Sequence, residues 1–141
     1  MERGREMIKS AEEFVTLRNS SVPEEYGRSA HEEADESVWL DVINKFPEMK
    51  CWVAHNKTIP ISILRILADD PSSDVRYSVA LKRKLDKATF NKLSRDADES
   101  VRQRLTFNKK IPRDLLVELS KDSSEFVREA ALENLQKHTK R

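Results

Sequence analysis

The chain has 141 residues, of which 36% are charged and 6% aromatic, with 2 Gly, 1 Cys and a net charge of +1. This composition fits one domain of short amphipathic helices and argues against a β-sandwich or barrel. It excludes an internal disulfide and a cysteine-cluster metal site, and no apolar run approaches the roughly 20 residues that span a bilayer.

Met1-Glu2-Arg3-Gly4-Arg5-Glu6 does not lead into an apolar export segment, so a cytoplasmic protein without membrane contact is expected. Ser10-Ala-Glu-Glu13 reads as a capping box that starts a helix carrying Phe14, Val15 and Leu17. That helix has no counterpart downstream and is expected to be an N-terminal cap over residues 1–20. From about Pro23 to Lys45 follows a pair of helices, the second containing Val38, Trp39, Leu40, Val42 and Ile43.

From there a period of 26 residues sets in. Val75-Arg76, Val101-Arg102 and Val127-Arg128 keep it, as do Leu64, Phe90 and Leu116, then Leu67, Leu93 and Leu119. A fixed interval of this length marks one supersecondary unit used repeatedly. In the units that open on Val75-Arg76 and Val101-Arg102 a second helix is introduced by Asp86 and Pro112, with Pro60 in the same place one unit earlier, residues suited to a first helical turn. Upstream the interval shortens by two, pairing Ala30 with Ala54, Leu40 with Leu64 and Ile43 with Leu67. Asn56, Asn108 and Asn134 share the slot after the first helix, with Lys82 the exception, which predicts a left-handed C-cap. Asp70, Asp96 and Asp122 each precede their Arg by six residues, which predicts a ladder in which each guanidinium bridges carboxylates of its own and the adjacent layer. A longer helix from about Ser123 to Lys137 ends in a polar tail, as expected of a C-terminal cap over residues 123–141. The stacked units then occupy residues 21–122 of a single repeat domain.

The leucines, the acidic turn with Val-Arg, and stretches such as Ala54-His-Asn-Lys-Thr-Ile-Pro60 and Leu119-Ser-Lys-Asp122 resemble two related families, the HEAT-like repeats and the leucine-rich repeat variant. The resemblance covers about residues 23–137. It implies an all-α, right-handed solenoid of short paired helices that serves as a binding surface, with one helical row partly 3-10. The variant family can carry a cysteine-ligated iron–sulfur module, which Cys51 alone does not match. HEAT-like DNA glycosylases are longer chains, and no counterpart of their catalytic acid is found.

The residues themselves carry no reaction signature. There is no Gly-rich phosphate loop, no Gly-x-Ser-x-Gly and no His-Glu-x-x-His; His31-Glu32-Glu33 lacks the second histidine. Cys51 and His55, at i and i+4, fit a thiolate–imidazole pair or two metal ligands. They fit better a buried cysteine and a helix-terminal histidine favoured by the dipole. The chain is therefore read as not an enzyme, with no catalytic residue, metal or cofactor.

Net charge hides an asymmetry. Residues 1–75 hold 9 Lys/Arg against 15 Asp/Glu, residues 76–113 hold 12 against 4, and residues 114–141 hold 5 against 6. Within the basic stretch and just before it, Lys57, Arg83 and Lys109 fall on equivalent positions, with Lys84 and Lys110 beside two of them. They predict a basic ridge, which either binds an acidic partner or only solubilises the edge. Trp39 and Trp52 read as core residues, although Trp52 shares with Arg104 a slot that varies between units, as surface-facing slots do; Trp52, Arg104 and Tyr77 are therefore candidate binding residues. The expected function is a non-catalytic scaffold for a protein partner, with an inhibitor or immunity-type role as its narrower form by analogy. The alternative is a nucleic-acid binder using the ridge.

Overall fold

The computed structural model describes residues 7–139, with side chains placed through residue 137; the sequence readings of Met1–Glu6 and of the last residues of the tail lie outside that range. The described chain is α-helical. It runs α1 (Ala11–Asn19), α2 (Pro23–His31), α3 (Glu36–Lys45), a 3-10 turn (Pro47–Met49), α4 (Lys50–His55), α5 (Ile61–Leu67), α6 (Ser73–Ala80), α7 (Lys87–Ser94), α8 (Glu99–Thr106), α9 (Arg113–Leu119) and α10 (Glu125–Thr139). One feature departs from the all-α expectation. Strand β1 (Met7–Ile8) pairs in parallel with β2 (Glu33–Ala34), Met7 opposite Glu33 and Ile8 opposite Ala34.

Helices this short are marginal alone and hold only through the apolar faces they bury. Two compact units result, Met1–Leu64 and Arg65–Arg141. In the first, α1 packs on α2 and α3, and α3 on α4. Its centre is Phe14 edge-on to Trp39, ring centroids 5.2 Å apart, both completely buried. Ser10 caps α1 by accepting from Glu13 N–H at 3.0 Å, while the Glu13 carboxylate accepts from Lys9 N–H at 2.7 Å, one residue earlier than a reciprocal box would place it.

The upstream pairing of leucines is corrected by burial. In α3 the buried residues are Val38, Trp39 and Val42, whereas Leu40 and Ile43 are only half-buried. These three match Ile63, Leu64 and Leu67 of α5, all buried, at an interval of 25 and not 24. The first helices keep the interval of 24, since Asn56 bonds the carbonyl of Glu32. The segment joining α2 to α3, which contains β2, is therefore one residue shorter than the α4–α5 connection, and the indole fills the place a leucine holds downstream.

In the second unit α6 packs on α8 and α8 on α10, while α7 packs on α9. The periodic residues Val75, Val101 and Val127, with Phe90, Leu116, Leu93 and Leu119, form its core, each at most 6% exposed. Burying each such side chain contributes about 1.5–3 kcal/mol.

Candidate functional site

The periodic polar residues of the second unit prove to be fasteners. Arg76 donates to the carbonyl of Asp70 at 2.8 Å within its own turn, and its Nε and Nη2 meet the carboxylate of Asp96 at 2.8 and 3.2 Å. Arg102 repeats this with the carbonyl of Asp96 at 2.6 Å and the carboxylate of Asp122 at 3.0 and 3.1 Å. Arg128 reaches the carbonyls of Asp122 and Ser123. The expected ladder is thus present in altered form, because each guanidinium takes a carbonyl, not a carboxylate, from its own turn. The carboxylates are engaged by backbone N–H groups two residues on: Ser72 for Asp70, Asp98 for Asp96 and Ser124 for Asp122. Burial pushes the Asp122 carboxyl up, but Arg102 and the Ser124 N–H outweigh it and hold it below the usual carboxylate range. Asp86 behaves likewise: burial raises it, and bonds from Thr89 and Arg65 pull it lower. At the start of α7 the Asp86 side chain caps no backbone group directly; it binds the Thr89 hydroxyl and Arg65.

The asparagine slot also needs correction. Asn56 has φ −58°, and among the described residues no non-glycine residue has a positive φ. A buried side chain, not a left-handed backbone, is what the slot requires. Asn56 donates to the carbonyls of Ser29 and Glu32 at 2.9 and 3.0 Å and accepts from Thr58 N–H at 2.8 Å. Asn108 donates to the carbonyl of Lys82 at 2.8 Å and accepts from Lys110 N–H at 2.7 Å. Asn134 turns back to its own helix at Ala130. The amide serves here because it both gives and receives, tying one connection to the preceding one.

Above the Asn108–Lys82 bond lies a cleft of about 180 Å³ between the α6–α7 and α8–α9 connections, lined by Ala80, Leu81, Arg83, Arg104, Phe107, Asn108 and Lys109. Leu81 and Phe107, equivalent residues at the 26-residue interval, are 49% and 40% exposed. The Arg104 guanidinium lies 5.8 Å from the Phe107 ring centroid, and its Nε is buried without a hydrogen-bond partner. No carboxylate lines the cleft, and among the described residues Arg83, Arg104 and Lys109 form no ion pair. By contrast, the larger groove along the ladder pairs its Arg76 and Arg102 with carboxylates.

Of the residues singled out from sequence, the structure brings Arg83, Arg104 and Lys109 together. Lys84, Lys110 and Tyr77 are exposed and do not line the cleft. Lys57 belongs to the first unit; its side chain is exposed while its N–H donates to the carbonyl of Ala30 at 2.8 Å. Trp52 also lies in the first unit, 37% exposed, with the Arg18 guanidinium 3.4 Å from its centroid and 4.5 Å from that of Tyr26. Sequence reasoning passed over Leu81 and Phe107. Their signal was an apolar residue recurring in one slot directly before a basic run, where His55 and Glu133 stand in the neighbouring units. Cys51 is partly exposed, and His55 packs edge-on to Trp52 with centroids 5.8 Å apart. No group of three or more His, Cys, Asp or Glu that could hold a metal occurs among the described residues, and no described helix is long and apolar enough to cross a membrane.

Family models, curated proteins and solved structures give no match to this chain.

Proposed function

We propose that the chain is a right-handed α-solenoid of HEAT-like or leucine-rich-repeat-variant type that acts as a non-catalytic protein-interaction module in the cytoplasm. The observation that carries this reading is that residues 26 apart make the same bonds, Arg76 and Arg102 each joining a carbonyl of one turn to a carboxylate of the next. Such an array presents its connections as a surface, and repeat surfaces serve chiefly to bind. The unpaired cations and half-exposed apolar residues at the cleft suit a protein partner, of which an inhibitor or immunity target would be one kind. Affinity capture with the whole chain as bait, against a variant carrying Lys57→Glu, Arg83→Glu and Lys109→Glu, tests it. A stoichiometric partner that is lost from the folded variant, and that rebinds the native chain when purified, is the expected result.

A second reading, nucleic-acid binding, is favoured by the excess of 12 basic over 4 acidic residues in 76–113. Phosphate binding would weaken steeply with salt, so retention of an oligonucleotide on filters at about 50 mM salt and its loss at higher salt would support it. No retention at the lower salt removes it.

A further inference from the structure

We propose that the cleft between the α6–α7 and α8–α9 connections is the docking site for an acidic peptide segment that inserts one bulky apolar side chain between Leu81 and Phe107. This rests on the protein-interaction reading and names the chemistry of the partner. Size comes first. A volume of about 180 Å³ equals that of roughly six liquid waters, below the ~300 Å³ at which pockets for whole small molecules begin. It suits one side chain delivered by a larger partner. Charge comes second. Arg83, Arg104 and Lys109 border the apolar pair with no carboxylate in the lining, so an occupant bearing Asp or Glu on either side of its anchor meets cations that form no ion pair among the described residues. Arg104 lines the cleft with its Nε buried and unbonded, so its guanidinium is not satisfied by hydrogen bonds within the chain at that atom. The third point separates peptide from nucleic acid. Leu81 offers nothing to a phosphate or to a stacked base, and Phe107 is the one aromatic ring in the lining, whereas strands of nucleic acid are held by successive aromatic platforms.

The test uses the whole chain and an array of fluorescent 12-residue peptides, each rich in Glu and Asp with a single central Leu, Phe, Tyr or Trp, read by anisotropy. Binding of at least one member with a Kd on the order of 10–100 µM is expected. The same peptide with Ala at its centre should bind about tenfold more weakly, as should the native peptide to Phe107→Ser or, independently, to Leu81→Ser. Arg83→Glu with Lys109→Glu should abolish binding, and a peptide with Lys replacing its acids should recover it on that variant. Circular dichroism confirms that each variant is folded. Three results overturn the proposal: no member bound at about 1 mM, equal binding of the Ala-centred peptide, or a thymidine 12-mer that binds more tightly than every peptide. If the array fails while the bait still captures its partner and the charge reversal leaves that capture unchanged, the scaffold reading stands and the docking site lies elsewhere on the chain.

Discussion

In residues 65–139 a guanidinium–carboxylate fastening recurs at a fixed interval; in residues 7–64 the core closes on an aromatic pair that is used once. The second unit repeats one guanidinium arrangement, Arg76 to Asp96 and Arg102 to Asp122, at a spacing of 26 residues. The first closes around Phe14 and Trp39 and adds the short ribbon of β1 and β2. A repeated layer can use the same bond wherever a like layer follows it. The unit that begins the chain carries a helix without a sequence counterpart, α1, and its packing on α2 and α3 had to be built from volume.

That contrast predicts where damage is greatest. Trp39→Ala removes the largest fully buried side chain and should cost about 3–5 kcal/mol by urea melting. Trp39→Phe should cost far less, because the indole N–H it deletes is buried without a hydrogen-bond partner. If both cost the same, volume is not what closes the first unit.

Asn56 and Asn108 sharpen the comparison, one in each unit. Asn56→Ala leaves the carbonyls of Ser29 and Glu32 without their amide donor and should cost about 2–3 kcal/mol. Asn108→Ala breaks a single donated bond, to Lys82, and should cost about 1–2 kcal/mol. Within the second unit the same logic separates the arginines. Arg102→Met strips Asp122 of a paired guanidinium and should cost about 2 kcal/mol, whereas Arg128→Met loses only bonds to carbonyls and should cost about 1 kcal/mol. Equal losses would mean that the carboxylate adds nothing to the fastening.

How much of this was legible in the sequence follows from what a period can encode. Val75, Val101 and Val127 recur because each meets the same neighbour, so both the core and the six-residue Asp–Arg spacing could be read directly. Two things could not. Asparagine in a post-helical slot is compatible with a left-handed cap or with a buried amide, and only packing chooses between them. The register of α3 slipped by one because Trp39 took a leucine's role, a substitution in volume that letter matching does not see. The cleft was half legible: its cations stood out as a ridge, while Leu81 and Phe107 looked like ordinary helix-end residues until their exposure was known. The ribbon, two residues to a strand, leaves no alternating pattern to find.

Acid should also distinguish the units. Asp86, Asp98 and Asp122, all in the second unit, have carboxyls held low. A carboxyl whose folded pKa lies below its unfolded value binds fewer protons in the folded state across that gap. Its contribution is therefore complete above the ordinary 3.8 and is lost as pH falls through the lower folded value. Amides of α8 and α9 should lose hydrogen-exchange protection in that window before those of α1 and α3. Asp122→Asn should reduce the slope of stability against pH there, at the cost of lower stability at neutral pH.

The smallest effect tests whether the basic ridge is uniform. Lys84 and Lys110 stand beside Arg83 and Lys109 in sequence, yet only the latter two line the cleft. Both outer lysines are exposed, so Lys84→Glu and Lys110→Glu should each shift stability by less than about 0.5 kcal/mol. Against an acidic peptide they should act only through screened charge and weaken binding about twofold, an effect that fades as salt rises. Arg83→Glu, at the rim of the cleft, should weaken it about tenfold and retain much of that loss in salt. A ridge that worked as one continuous field would make all three substitutions equivalent, and titration at two salt concentrations separates that field from a localised cleft.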